Sequence, residues 1–483
     1  MDGTMTEARA LMVQGTSSWA GKSLIATALC RHLARKGIRV APFKAQNMSN
    51  NARVVEGGEI GVAQYLQALA ARTVPDVRMN PILVKPEGMT RSQVIVLGKP
   101  DPGVSSLPWP ERTPRVWPVV ARALRSLLAE YDIVVLEGAG SPAEINLAHI
   151  DITNTRAAIA ADASVLLVAD IDRGGAFAHL YGTWALLPGE ARERLRGFIL
   201  NKFRGDASLL APGPDRLAAM TGVPVIGLVP WLAHELPDED GAAVPAKPDG
   251  ASALVAVIRY PFASNLDEFK ALEQVAVARW ARTSADLDGA DLVVLPGSKN
   301  VAGDLAWLRS TGLDRAVRAK AQAGIRVLGV CGGLQMLGRW LHDPYGVDGA
   351  GEGLDLLPVE TTFERLKLTR QGTYQFTSTL ESPWSPLANM EVNGYEIRHG
   401  QTRPLGAANA ALTDGLGWVE GSVLGIAMHG LLESQPVLKS LFGRGGRYSL
   451  DSTLDRIADT VMANIDGGLI DGLVGLSNAS TAQ

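Results

Sequence analysis

The segment Ile325-Arg-Val-Leu-Gly-Val-Cys-Gly-Gly-Leu-Gln335 decides the fold of the C-terminal half. A β-branched run ends abruptly at Cys331, two glycines follow, and an apolar stretch from Leu334 to Leu341 begins. That pattern predicts a strand, a sharp turn and a helix. Such a turn holds a side chain up at the carboxyl end of a parallel sheet, above the N-terminus of the next helix. The helix dipole and free backbone N–H groups there favour a thiolate and a developing oxyanion. The alternative is a buried cysteine in an ordinary strand-to-helix turn. His429, in Gly425-Ile-Ala-Met-His-Gly-Leu-Leu-Glu433, is a candidate base, because a single cysteine with a distant histidine is a nucleophile pattern.

Near the other end, Val13-Gln-Gly-Thr-Ser-Ser-Trp-Ala-Gly-Lys-Ser23 follows a short apolar strand and precedes a helix-patterned stretch, Leu24 to Arg35. Backbone N–H groups of such a loop cradle phosphates. Lys22 reaches the β/γ-phosphates and the Ser23 hydroxyl ligates Mg²⁺. The spacing is one residue longer than the usual Gly-x₄-Gly-Lys-Ser/Thr, with Gly15 and Gly21 as its glycines. A chance Gly-Lys-Ser in a turn is the competing reading, and the flanking strand and helix argue against it.

The bulk properties set bounds. A chain of 483 residues suggests two to four domains. A net charge of −4 without a basic stripe gives no reason to expect nucleic acid as a partner. Two cysteines, Cys30 and Cys331, make a disulfide framework a poor reading and suit a reducing cytoplasm. Met1 to Arg9 is polar and does not read as a signal peptide, and no apolar run is long enough to span a membrane. Seven scattered histidines and two cysteines suggest no protein metal cage.

Short apolar strands alternate with amphipathic helices through the first half, at Leu11–Val13, Ile38–Phe43, Ile133–Leu136, Val165–Ala169, Gly197–Leu200 and Val225–Val229. This rhythm predicts an α/β fold with a mainly parallel sheet covered on both faces. Ligands gather at the carboxyl ends of such strands. The polar residues Lys44, Asn47, Glu137, Asp170, Asp172, Asn201 and Lys202 all fall at those ends. Pro- and Gly-rich composition marks 236–252 as a linker. Strands at Leu254–Ile258, Leu292–Leu295 and Val327–Val330, and a helix over Ala302–Ala323, start a second α/β unit. The division is therefore 1–235, a linker at 236–252, and 253–477. The amphipathic tail Leu450–Ile465 is expected as a docking helix of the second unit.

The ordered motifs resemble those of the cobyric acid synthase family, glutamine-dependent amidotransferases of cobalamin biosynthesis. They are the phosphate loop, Ala41-Pro-Phe-Lys-Ala-Gln-Asn-Met48, Met79-Asn-Pro-Ile-Leu-Val-Lys-Pro86, Glu137-Gly-Ala-Gly-Ser-Pro-Ala-Glu-Ile-Asn-Leu147, Asp170-Ile-Asp-Arg-Gly-Gly175, Asn201-Lys-Phe-Arg-Gly-Asp206, Pro296-Gly-Ser-Lys-Asn300 and the Cys331 turn. The resemblance covers Leu11 to about Leu473. It implies a P-loop, dethiobiotin synthetase-like domain followed by a class I, flavodoxin-like glutaminase domain. The implied reaction amidates four carboxylates (b, d, e and g) of adenosylcobyrinic acid a,c-diamide with ATP, Mg²⁺ and L-glutamine.

The resemblance also implies roles. Cys331 is the nucleophile and His429 its base. Gly332 and Gly297 supply oxyanion donors, and Gln335 orients glutamine. Gly15, Thr16, Gly21, Lys22 and Ser23 hold the triphosphate, Glu137 joins Ser23 on Mg²⁺, and Asn201 reads the adenine. Lys44 neutralises phosphate or substrate carboxylate. Asp170 and Asp172 contact Mg²⁺ or substrate, or are solvated strand-end acids. Asn47, Glu144, Asn146 and Asp151 are corrinoid contacts. Related triads carry Glu two residues after the histidine, where this chain has Leu431. Glu433, two residues further on, is then either the third member or a surface acid beside a Cys–His dyad. Trp19-Ala20 also departs from the family, which usually has Asp and a small apolar residue there. The rival readings are the sister enzyme that amidates the a and c carboxylates of cobyrinic acid, and a regulatory P-loop ATPase. The fused Cys331/His429 unit argues against the second.

Overall fold

The computed structural model describes residues 9–88, 91–232, 236, 253–445 and 449–476. Beyond Leu236, the expected linker lies outside the described residues. The first unit is built on six parallel strands: β1 (Arg9–Gly15), β2 (Val40–Phe43), β3 (Ile133–Glu137), β4 (Ser164–Asp170), β5 (Leu195–Phe203) and β6 (Val225–Pro230). Their order across the sheet is β6-β5-β4-β1-β3-β2. Residues 133–137 are buried without a break, because helices cover both faces of the sheet. The chain leaves β1 through the phosphate loop into helix α1 (Lys22–Arg35). Gly21, at φ 103°, takes the left-handed turn that a side chain would strain.

The second unit has a seven-stranded sheet of β7 (Leu254–Ile258), β8 (Val277–Ala281), β9 (Leu292–Leu295), β10 (Arg326–Val330), β11 (Asn409–Ala410), β12 (Gly417–Glu420) and β13 (Val423–Ile426). The order is β8-β7-β9-β10-β13-β12-β11, parallel except at the β13-β12-β11 edge. The expected helix Ala302–Ala323 is two helices, α2 (Val301–Thr311) and α3 (Leu313–Gln322). Gly312 adopts φ 75° between them and ends the first. A long antiparallel hairpin of Val359–Gln375 and Glu391–Pro404 reaches toward the first unit. There Tyr395 and Ile397 pack against Ala52, Val54, Leu83 and Ile95 in a small apolar core shared by the two units.

The tail corrects one expectation. Helix α4 (Gly332–Leu337) follows β10, and the last long helix, α5 (Leu450–Met462), docks on the first unit rather than the second. Its Leu454, Ile457 and Val461 are buried with Ile25, Leu29 and Leu33 of α1. Each such aliphatic contributes roughly 1.5–3 kcal/mol on burial. Register is set by charge as well: Arg31, whose side chain is fully buried, bonds Asp451 at 2.6 Å and Asp455 at 2.8 Å. The amphipathic period identified the docking face, but the partner depended on where the chain had already travelled.

Candidate functional site

In the second unit the strand β10 ends at Cys331, whose backbone sits at φ 51°, ψ −103°. The strained turn is kept by crowding on either side. A Cβ on Gly333 would lie 1.9 Å from the Leu295 carbonyl oxygen, and one on Gly332 would lie 2.6 Å from Ser298 N. Only glycines fit, which explains the pair after the cysteine. It also brings the Gly297–Ser298 backbone against Gly332, beside the nucleophile.

His429 follows β13, and its main chain is tied in both directions to Tyr395, with His429 N donating to Tyr395 O at 2.8 Å. The two rings stack with centroids 5.3 Å apart. The imidazole lies close enough to the Cys331 thiol for each to shift the other's ionisation, and Cys331 Sγ itself lies 3.7 Å from Ile397 O. On its far side Nδ1 lies 2.8 Å from Glu268 Oε1, and Glu268 Oε2 accepts from Gly430 N at 2.8 Å. Glu268 is fully buried on a short helical stretch, Leu266–Gln274, beyond the carboxyl end of β7.

Burial opposes ionisation of Cys331, but the neighbouring His429 imidazole and the charge of Arg398 outweigh it, so the thiol titrates below its ordinary range. Burial likewise opposes a charged His429, and Glu268 and Cys331 overcome it, holding the imidazole above its ordinary value. The site therefore favours a thiolate–imidazolium pair steadied by a carboxylate.

Two roles are open to Glu433 from the sequence, a third member of the triad or a surface acid. It turns away from His429 and pairs with Arg53 of the first unit, Nη1 to Oε2 being 3.0 Å. The carboxylate on the histidine is Glu268, which the sequence reading missed. Its only signal was a pair of acids, Asp267 and Glu268, in the mixed stretch Leu266-Asp-Glu-Phe-Lys-Ala-Leu272 past a strand end.

Cys331 opens into a cavity of 370 Å³ lined also by Gln335, Ser298, Lys299, Arg398 and, from the first unit, Lys85. Gln335 is buried and points at Gly400, where a Cβ would come within 2.3 Å of its Nε2.

In the first unit the phosphate loop lines a cleft of 590 Å³. Lys22 Nζ donates to the carbonyl oxygens of Ser17 at 3.0 Å and Gly140 at 3.1 Å. Ser23 Oγ donates to Glu137 Oε1 at 2.8 Å, Lys44 Nζ reaches the same oxygen at 3.0 Å, and Gln67 Nε2 donates to Oε2 at 2.5 Å. Burial would raise the Glu137 carboxyl, but Lys44 and these hydrogen bonds keep it below the usual carboxylate range. Among the described residues the buried Thr16 hydroxyl has no hydrogen-bond partner. Asn201 Nδ2 donates to Ala20 O at 2.9 Å, while its buried Oδ1 has no partner among the described residues. Lys202, in the same cleft, donates to Trp19 O at 2.7 Å and to Asp170 at 2.8 Å.

Of the expected substrate contacts, Lys44 and Asn47 line this cleft. Asn47 also donates to Gln64 Oε1 at 3.2 Å. Asp151 does not line it: its carboxylate accepts from the backbone N–H groups of Thr153, Asn154 and Thr155 and shapes its own turn. Asp172 also lies outside, 3.5 Å from Arg204 in an exposed pair.

The two cavities have a wall in common. Tyr260, Pro261, Ala263 and Leu266 line the phosphate-loop cleft, and Ser264 and Asn265 line the cavity at Cys331.

Comparison with known proteins agrees with this division. Residues 11–240 match the family model for a CobQ/CobB/MinD/ParA nucleotide binding domain, and residues 254–437 match a CobB/CobQ-like glutamine amidotransferase domain. A cobyric acid synthase of Variovorax paradoxus (strain S110) is 56% identical over 96% of this chain and 99% of its own. This chain belongs to the cobyric acid synthase family. Another member, from Polaromonas sp. (strain JS666 / ATCC BAA-500), is 53% identical over 98% of this chain and 99% of its own. A third, from Polaromonas naphthalenivorans (strain CJ2), is 54% identical over 97% and 99%. Among the described residues, no helix is long and apolar enough to cross a membrane.

Proposed function

We propose that this chain converts the b, d, e and g carboxylates of adenosylcobyrinic acid a,c-diamide to amides, with Cys331, His429 and Glu268 releasing ammonia and the phosphate-loop cleft activating the carboxylate. ATP- and glutamine-dependent amidation in cobalamin biosynthesis is the activity of its family. The assignment of steps to residues rests on the buried Cys331–His429–Glu268 set and its common wall with the phosphate-loop cleft.

The Cys331 thiolate attacks the amide carbon of glutamine. His429 gives its proton to the departing nitrogen, so ammonia leaves and a thioester forms. Glu268 stabilises the imidazolium before that transfer. The Gly332 and Gly297–Ser298 backbone is placed to receive the oxyanion. Water then hydrolyses the thioester, releasing glutamate and restoring the thiol. In the other cleft a substrate carboxylate oxygen attacks the γ-phosphorus of ATP, and ADP leaves. Ammonia displaces phosphate from the acyl phosphate, giving the amide. Ammonia released at Cys331 would cross at Ala263–Leu266 to reach the acyl phosphate, and a short path limits how much of it becomes ammonium.

The chemistry of the donors fits Mg²⁺. The Ser23 hydroxyl and Glu137 carboxylate offer two hard oxygens 2.8 Å apart, and such ions complete their shell with phosphate oxygens and water. Bound there, the ion would neutralise charge on the transferred phosphoryl group. Lys22 and Lys44 add fixed positive charge, and the buried Thr16 and Asn201 oxygens remain free to accept or bind.

The test is incubation with each corrinoid acid, ATP and glutamine, followed by mass spectrometry. Four successive losses of about one mass unit from the a,c-diamide are expected. Amidation of cobyrinic acid that stops at two sites would assign the sister activity instead.

A further inference from the structure

A first-unit residue joins the two segments that carry His429 and Glu268. Arg53, on the strand Ala52–Val55, reaches across the interface with its side chain 11% exposed. Its Nη2 bonds Asp267, the neighbour of Glu268. The same guanidinium bonds both oxygens of Glu433, four residues beyond His429. Its plane also lies over Tyr395, 5.1 Å from the ring centroid, and Tyr395 is the ring stacked on His429.

The residues beside Arg53 repeat the grip. The Asn51 side-chain oxygen accepts from Leu266 N at 3.0 Å. Asn265 Nδ2 donates both to Ala52 O at 2.8 Å and to the Tyr395 hydroxyl at 2.9 Å. Three of the second unit's segments, carrying Glu268, His429 and Tyr395, therefore meet on one short piece of the first unit.

We infer that Arg53 is a positioning residue for glutamine hydrolysis: it staples the Glu268 segment to the His429 segment, so the glutaminase site is complete only when the amide-forming unit is docked. The planar fork suits this task, because it can serve two carboxylates at fixed angles, whereas an ammonium serves them as a point charge. Glu433 thus acts two steps from the chemistry, as the second anchor of the staple. Asn51 also lines the phosphate-loop cleft, so the segment that grips the triad is continuous with the segment that meets substrate. This inference rests on the glutaminase reading given above.

The test compares Arg53→Ala, Arg53→Lys and Arg53→Ala/Asp267→Asn with wild type in the full-length chain. The double variant removes the carboxylate that Arg53→Ala would strand in the interface, so it also covers a folding failure of the single one. Glutamine hydrolysis, ammonia-dependent amidation and the rate at which iodoacetamide alkylates Cys331 as a function of pH are measured for each. The expected result is a fall of about 10- to 100-fold in kcat for glutamine hydrolysis, with KM nearly unchanged. Ammonia-dependent amidation should stay within about twofold, and Arg53→Lys should recover part of the loss. The alkylation profile should move to higher pH, because a displaced Glu268 supports the imidazolium less.

Glutamine hydrolysis within about twofold of wild type in the double variant would overturn the inference. So would equal loss of both activities, or an unmoved alkylation profile. Cys331→Ala run alongside separates the two claims. If it keeps glutamine-dependent turnover, the glutaminase reading itself fails. If it loses that turnover while the Arg53 variants do not, only the staple fails.

Discussion

The two halves of the site satisfy their polar groups in different ways. In the second unit the reactive side chains are paired with one another: Cys331 with His429, and His429 with Glu268. In the first unit the polar groups are held partly by the backbone and partly by the carboxylate that is expected to take the metal ion. Lys22 bonds two backbone carbonyls, and Ser23 and Lys44 converge on Glu137. The first arrangement is pre-assembled for attack, since its electrostatics need no rearrangement when glutamine enters. The second must exchange partners when a triphosphate arrives. The difference follows from the chemistry. A thiolate needs a nearby proton carrier at all times, whereas a phosphate loop needs its charges only when phosphate is present.

The comparison would break most visibly at Lys22. Lys22→Ala should abolish amidation from glutamine and from ammonia alike, by about 10³-fold or more, because the acyl phosphate precedes both. Glutamine hydrolysis without corrinoid should survive. Product formation with each nitrogen donor measures this, and near-normal ammonia-dependent synthesis would mean that Lys22 does not serve the triphosphate.

Cys331→Ala is the mirror image and loses one activity rather than both. Glutamine-dependent amidation should disappear while synthesis from high ammonium remains. Loss of both in a folded protein would show that the two chemistries cannot be separated.

Within the second unit, Glu268→Gln sharpens the claim of pre-assembly. Removing the carboxylate lowers the His429 pKa; it also takes away a charge that raises the Cys331 thiol, but the larger hold of the imidazolium on the thiol weakens with it, so the thiol rises on balance. Glutamine hydrolysis is supported above the thiol pKa and fades as pH falls through it. The acid limb of its pH profile should therefore shift to higher pH, with kcat at neutrality down about 10²-fold. Glu433→Gln should leave that limb closer to wild type, because the amide oxygen of the new side chain would still accept one bond from Arg53. If Glu433→Gln proved the deeper lesion, the assignment of Glu268 as the partner of His429 would be wrong.

What the sequence made legible divides along the same line. Local signals identified both motifs: the strand–Cys–Gly-Gly–helix turn and the Gly-Lys-Ser loop read correctly because neighbours in the chain dictate their geometry. The continuous apolar runs of β3 and β4 read as covered parallel strands for the same reason. The edge strand β8, with Arg279 in its middle and mostly half-buried residues, carried no such signal. The long strand Val359–Gln375 carries five charged residues without a regular alternation, Lys367 among them reaching Glu59 of the first unit, and did not read as a strand either. Glu268 was hidden because its partner lies 161 residues away, and nothing near His429 points to it. Glu433 drew attention by proximity in sequence, yet its charge belongs to Arg53.

The smallest expected effect tests the support under the phosphate loop. Ile457 of α5 is fully buried against α1, the helix that begins with Lys22. Ile457→Ala removes buried methyl groups and leaves a cavity, costing about 2–5 kcal/mol of stability. The surface ion pairs around it, such as Arg35–Asp459 at 2.6 Å, contribute less than about 1 kcal/mol each and cannot make up the loss. Thermal unfolding should therefore begin at lower temperature in the first unit. Glutamine hydrolysis, measured by glutamate release, should decline in the same temperature range as ammonia-dependent amidation, because the glutaminase site is complete only while Arg53 of the first unit is docked. Hydrolysis that outlived amidation on heating would mean that the glutaminase stands without the first unit, and would count against the staple as well. In that case the contrast between a pre-assembled glutaminase and a more adaptable synthetase would extend from their side chains to the stability of the scaffolds beneath them.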